Sequence, residues 1–220
     1  MSVYTEDTLF GPIVTGWDVE QWCMETIREW ADTYLCEVER QAGLQEASLQ
    51  RIRGWVTAPS FDKWPEDQLP AVMLVSVGLS ELPLKDGYGL YRARWQMGLG
   101  CIVSARTQTE SHRMAMLYIA ALRTLLIQRP SLGDRAAGIV WQDEDYTQLA
   151  YDDIRTLAAG QAMFTVEVEG VSQAGAGPLS TDDPNDPACA PWPNDGLVLT
   201  HEEQVFNNPV SAPLPKGRRR

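Results

Sequence analysis

A chain of 220 residues, 44% of them hydrophobic, can bury one good core, and the simplest organisation is a single domain with an appendage. A formal net charge of −12 and a pI near 4.6 exclude a protein that grips a phosphate backbone; the plain reading of the charge is solubility, although an acidic surface is also what a conduit would need for DNA to slide through without sticking. The longest apolar stretch, Met114 to Ile127, is broken by Arg123 and falls short of the roughly 20 residues a spanning helix needs, and the start Met-Ser-Val-Tyr-Thr-Glu-Asp carries no secretion signal, so neither membrane insertion nor export is expected.

Residues 1–16 hold Gly11, Pro12 and Gly16 among mixed neighbours and read as an extended arm. Asp18 is the expected N-cap of the first helix, with Gln21 completing a capping box and Gly43 as the C′ residue. Between them Val19, Trp22, Cys23, Ile27, Trp30, Ala31, Tyr34, Leu35 and Val38 recur every three or four positions, one stripe of an amphipathic helix. Aromatics at that spacing favour core or subunit packing over a ligand platform.

Ile52 to Val56 reads as a short strand and Pro59 to Pro70 as a loop carrying Phe61, Trp64 and Pro65. Ala71 to Val77 is a nearly continuous apolar run bounded by Pro70 and Gly78, expected to be a strand covered on both faces. Lys85-Asp86-Gly87 marks a turn into the next strand, which makes the two an antiparallel pair.

That next strand, Tyr91 to Val103, is the centre of the chain. Tyr91, Ala93, Trp95, Met97, Leu99, Cys101 and Val103 fall on one face; Arg92, Arg94, Gln96, Gly98, Gly100 and Ile102 fall on the other. Gly98 and Gly100 imply a bend, a bulge or a close backbone approach. A helix follows, starting at Thr107 to Glu110 and stopped by Pro130; it is apolar at every position from Met114 to Leu122, so its second face needs cover from the first helix, a neighbouring subunit, or both. Beyond it the pattern predicts a loop at Gly133 to Gly138, a brief strand at Ile139 to Trp141, an acidic turn at Gln142 to Asp145, a partly helical stretch at Thr147 to Leu157, and a closing strand at Gln161 to Val168.

The resulting class is α+β, a mostly antiparallel twisted sheet packed against two main helices over residues 17–170. Past Gly170 the composition changes: 8 of the 14 prolines fall there, and the end is Lys-Gly-Arg-Arg-Arg. Residues 171–220 are therefore expected to be an extension that orders only against a partner, using Trp192, Leu197, Val198, Leu199, Val205 and Phe206 as anchors.

Catalytic chemistry finds little to work with. His201 lies in the extension and His112 at a helix start, and neither a G-x-S-x-G nor a GxxxxGK[ST] occurs. Cys23, Cys36, Cys101 and Cys189 form no CxxC pair, so no zinc site and no disulfide is expected, and the acids at 143–145 and 152–153 lack EF-hand spacing. No catalytic, cofactor or metal site is assigned, and the protein is expected not to be an enzyme.

The order of an acidic helix, the segment Trp64-Pro65-Glu66-Asp67-Gln68-Leu69-Pro70 before an apolar strand, a long strand, a buried helix and the closing Gly160-Gln161-Ala162-Met163-Phe164-Thr165-Val166 resembles the tail terminator proteins of long-tailed, siphovirus-type bacteriophages, particularly those infecting actinobacteria. The resemblance covers roughly residues 17–170; the proline-rich extension departs from it. It implies an α/β sandwich that forms a hexameric ring, caps the tail tube, stops its polymerisation and docks to the head connector or stopper, with genomic DNA passing unbound through the lumen. Its place would be the head-proximal end of the virion tail, assembled in the host cytoplasm. On that reading the partners are further copies of the chain, the tube protein and the connector, with contacts expected at Trp22, Trp30, Trp64, Trp95, Arg92, Arg94, Trp192, Val198 and Phe206. A head-tail stopper or adaptor, a minor tail or tube protein, and a small-ligand module or enzyme built on the tryptophan-rich helix stand as alternatives.

Overall fold

The computed structural model describes residues 11–57, 66–86, 89–152 and 155–173. The expectations for residues 1–10, for Phe61 and Trp64, and for the extension beyond 173 with Cys189, Trp192, Val198, His201 and Phe206 lie outside the described residues.

The first helix, α1, spans Gly16–Gln41. Its cap is one turn earlier than the sequence implied: Thr15 is the N-cap and Asp18 sits at N3, with the Asp18 carboxylate accepting from the Thr15 N–H at 2.7 Å and the Thr15 hydroxyl accepting from the Asp18 N–H at 3.3 Å. Asp18 to Gln21 offers the same spacing as Thr15 to Asp18, so pattern alone could not choose between them. At the other end Gly43 does occupy the left-handed C′ position (φ +64°), and Leu44 N–H to Glu39 C=O (2.9 Å) with Gly43 N–H to Arg40 C=O (3.3 Å) closes the helix.

Six strands follow in one sheet of order β1-β2-β4-β6-β5, with β3 beside β4. They are β1 Gly54–Val56, β2 Ala71–Leu79, β3 Leu84–Lys85, β4 Leu90–Ala105, β5 Gly138–Asp152 and β6 Arg155–Gln173; α2, Gln108–Gln128, joins β4 to β5. All pairings are antiparallel except β1 with β2, which makes the sheet mixed.

The alternation read in β4 holds. Ala93, Trp95, Met97, Leu99, Cys101 and Val103 are all buried, and opposite them β6 supplies Val168, Val166, Phe164, Ala162 and Ala158. Both helices lie on this face. Ile27, Leu35, Tyr118, Ile119, Leu122 and Leu125 fill the space between helices and sheet with no measurable exposure. The apolar run of α2 is covered within the chain on two sides, by α1 and by the sheet, while Met116 and, further along, Ile127 stay exposed. Tyr118, whose hydroxyl donates to the Gln50 C=O, and Glu39, whose Oε1 accepts from the Leu49 N–H at 2.6 Å, fasten the 42–52 connection to the helices.

Three expectations need correction. β2 is covered on one face, since Val72 and Leu74 are buried while Val77 is 59% exposed. Gly98 and Gly100 cause no bulge; register runs evenly past them, and the irregularities fall at Ser76/Gly78 and Tyr91/Ala93. What approaches the glycines is side chain: a Cβ on Gly98 would stand 3.3 Å from Val75 Cγ2, and one on Gly100 3.4 Å from Met73 Cε. Finally, the acidic turn and the described residues of the partly helical stretch are strand, because β5 (Gly138–Asp152) and β6 (Arg155–Gln173) pair antiparallel along their lengths. β5 is a sheet edge with two register breaks, and its outward Gln142, Asp143 and Asp145 erase the alternation that marks a strand.

Candidate functional site

Three surfaces collect the residues with chemistry to offer. On the face of the sheet away from the helices, Arg92 and Arg94 of β4 converge on Glu167 of β6. Arg94 Nε lies 2.7 Å from Glu167 Oε2, Arg94 Nη1 3.2 Å from Glu81 Oε1, and Arg92 Nη1 3.5 Å from Glu167 Oε1. The two guanidinium groups are therefore paired with Glu167 of the sheet and Glu81 beside it, and neither stands as a free cation on this face. Trp95, the other β4 residue expected at a contact, is 6% exposed, packs beside Gly16 and belongs to the core.

The second surface is the flank of α1. Val19, Cys23, Ile27, Ala31 and Leu35 turn fully inward, which leaves Trp22, Trp30 and Tyr34 half-buried at the rim of the stripe. Each tryptophan carries an arginine from the 129–135 segment after α2: Arg129 lies over Trp30 with Cζ 3.2 Å from the ring centroid, and Arg135 over Trp22 at 5.6 Å. Arg135 is anchored further by Glu25 (2.7 Å) and the Leu132 C=O (2.8 Å), and the Tyr34 hydroxyl donates to Gln128 at 2.9 Å. The sequence singles out the two tryptophans but not the arginines that meet them, which are brought there only by the antiparallel packing of α1 and α2.

The third surface is apolar. Of the nine large hydrophobic side chains that stand exposed among the described residues, six are Ile13, Trp17, Val77, Leu79, Leu82 and Leu84. Val77, Leu79, Leu82 and Leu84 belong to the end of β2 and its connection to β4 and are divided between the two faces of the sheet, since Leu79 is the register partner of the inward Trp95 and Leu84 that of the outward Arg92; Ile13 and Trp17 lie on either side of Gly16, which rests on Ser76. β1 pairs only with Ala71–Met73, so beyond Met73 no strand of the described residues pairs with the outer edge of β2. The sequence signal was present, since Leu79, Leu82 and Leu84 are apolar past the expected strand end at Val77.

A further polar cluster centres on Glu144. Glu144 accepts from Arg123 Nη1 (2.7 Å), Trp141 Nε1 (2.9 Å) and the Tyr146 hydroxyl, and burial together with that hydrogen bond pushes the Tyr146 phenol up. His112 meets the Tyr146 ring edge-on at 6.5 Å. Burial pushes the Cys23 and Cys101 thiols well up, which makes them inert apolar fillers rather than nucleophiles. No helix of the described residues is long and apolar enough to cross a membrane.

No family model and no curated protein matches the chain. Among solved structures, a chain from the virion of a native gene transfer agent particle is similar at 16% identity and a TM-score of 0.35, over 60% of this chain and 92% of that one. A likeness of that size fixes no family.

Proposed function

We propose that the chain is a structural subunit of a phage-type virion, and specifically a tail terminator whose copies close into a hexameric ring on the last ring of tail-tube subunits. One observation supports the assembly reading: six of the nine large hydrophobics exposed among the described residues lie by the end of β2 or the start of α1, where no described strand pairs with the outer edge of β2 beyond Met73. A protein that worked alone would carry such side chains scattered singly over its surface. The layout shared with terminator proteins supplies the finer identity, and the paired Arg92, Arg94 and Glu167 suit a wall past which DNA slides unbound. On this reading the protein is not an enzyme, its partners are its own copies, the tube protein and the head connector, and residues 174–220 clasp a neighbour. A ring subunit needs two different complementary faces, and the apolar end and the tryptophan-rich flank of α1 are the two on offer.

The test is the mass of the purified protein by light scattering, with and without residues 174–220, alone and after mixing with polymerising tube protein. The truncation falls after Gln173 because β6 runs that far. A discrete ring, or a monomer that becomes one on tube ends and halts their growth, is expected of a terminator. Continued addition along the tube would indicate a tube protein, and binding to the connector alone a stopper. A monomer indifferent to all of these overturns the assembly reading.

A further inference from the structure

The start of α1 is closed on the end of β2 by a small, tightly fitted contact. Gly16 leaves no room for a side chain, since a Cβ there would stand 2.5 Å from Ser76 Oγ and 3.2 Å from Trp95 Cδ1. One turn on, Glu20 reaches the same residue, and its Oε2 accepts the Ser76 N–H at 2.8 Å. Ser76 is also where the β2–β4 register breaks, with Val77 passed over before Gly78 pairs with Gln96. Glu20 and Gly16 thus clasp the helix to an irregular point of the strand.

The clasp depends on a group that burial disfavours in its charged form. Glu20 is buried, and its Oε1 has no hydrogen-bond partner among the described residues. An ionised carboxylate taken out of water needs several donors, and here it has one. The helix start does not make up the difference: Thr15 is the N-cap, so Glu20 is the fifth residue of α1, beyond the first turn in which free N–H groups favour an anion. The residues one turn away on α1 are Gly16, Trp17, Cys23 and Met24, and β2 and β4 bring Ser76 and Trp95 to the same junction. Of these only Cys23 is ionisable, and burial keeps its thiol neutral; Arg135, which acts on Cys23, is paired with Glu25. Burial accordingly pushes the Glu20 carboxyl up, against the smaller downward pull of the Ser76 hydrogen bond.

We propose that Glu20 is a proton-dependent latch. Protonated, it keeps the start of α1 closed on β2 at Ser76; ionised, it turns to water and the contact opens locally while the rest of the sheet stays folded. The sign follows from linkage. The closed form binds the proton more tightly than the open one, so the latch tightens as pH falls, loosens as pH rises from the ordinary carboxylate range through the raised value, and then levels off. Trp17 follows Gly16 and Val77 follows Ser76, and both are exposed, so opening changes the apolar surface presented at this end of the molecule. The latch does not require that the chain assemble into a ring.

The measurement is amide hydrogen exchange by NMR on the full-length protein from about pH 5 to about pH 8, above the ordinary carboxylate range. Each Ser76 rate is divided by that of E20Q at the same pH, which cancels the intrinsic pH dependence of exchange, and is set beside the rate of Leu99 in the middle of β4. Ser76 is expected to exchange faster than Leu99 throughout, with the ratio of wild type to E20Q rising at least about threefold before it levels off. The Glu20 carboxyl carbon, followed by 13C NMR in the wild type, should titrate with the same midpoint. That reading needs no variant, so it decides the matter even if E20Q folds poorly. Equal protection at Ser76 and Leu99 would mean that the contact opens only with the whole fold, and overturns the proposal. A ratio flat in pH, or a Glu20 titration in the ordinary carboxylate range, overturns it as well.

Discussion

A Cβ placed on Gly160 would stand 2.6 Å from Ile119 Cγ1 and 3.2 Å from the Ala115 C=O, so α2 rests on β6 at a distance only glycine permits. Gly160 is the register partner of Cys101, which puts this contact at the middle of the sheet. Gly160→Ala is expected to cost about 1–3 kcal/mol through overpacking, since backbone as well as side chain stands in the way. The comparison is Gly138→Ala, where nothing lies within 4 Å and the change should stay within about 0.5 kcal/mol. Thermal melting of the pair checks this, with a drop of roughly 2–4 °C per kcal/mol for a domain of this size.

Glu144 holds three donors from two elements, Arg123 of α2 and Trp141 and Tyr146 of β5, and Trp141 in turn stacks on Phe164 at 5.4 Å. Its side chain is 15% exposed, so water cannot replace the lost acceptor freely. Glu144→Gln should destabilise the fold by about 2 kcal/mol, the scale of a charged hydrogen bond lost without a substitute. The same variant should let the Tyr146 phenol ionise at lower pH, because its hydrogen bond to the carboxylate adds to burial in pushing it up. Denaturant unfolding and alkaline spectrophotometric titration read the two effects separately.

Glu20 is 4% exposed and takes the Ser76 N–H at 2.8 Å with Oε2, while Oε1 is buried with no partner among the described residues. Burial raises its pKa, against the smaller lowering effect of the Ser76 hydrogen bond. With the folded value above the unfolded one, the native state binds the extra proton in between, so this group adds stability as pH falls through that window and loses it as pH rises. Glu20→Gln should remove the dependence. The melting temperature of wild type relative to Glu20→Gln is expected to be lowest near neutral pH and to climb as the carboxyl protonates; a difference flat from neutrality down to the ordinary carboxylate range would refute the assignment.

The elements that were legible in sequence are those whose pattern is set by one buried face. β4 is read correctly because each odd residue from Ala93 to Val103 is buried, and α2 because Ala115, Tyr118, Ile119, Ala121 and Leu122 of its apolar run are buried. The hairpin of β5 and β6 was missed where the edge strand turns Gln142, Asp143 and Asp145 outward, so nothing apolar marks the period. Site residues follow the same logic. Trp22 and Trp30 announce themselves at helical spacing, whereas Arg129 and Arg135 look like any surface arginine until α1 and α2 pack antiparallel. The ion pairs of Arg92 and Arg94 with Glu167 are not legible in the sequence, because Glu167 is brought opposite them only by the β4–β6 register.

The apolar end of the sheet separates assembly from folding most directly. Leu82 is 85% exposed and Leu84 47%, so replacing both with glutamine removes little buried area, and stability should change by no more than about 0.5 kcal/mol. If this end is a contact, the same double substitution should abolish ring formation or tube capping at concentrations where the wild type assembles, because desolvated aliphatic side chains carry such contacts. Ile127→Gln is the matched control, since Ile127 is also 47% exposed but lies in the last turn of α2. Loss of assembly in the double variant with Ile127→Gln unaffected assigns the contact to the β2–β3 end. Equal behaviour of all three proteins would remove that end from the interface and leave the tryptophan flank of α1 as the surface to mutate next.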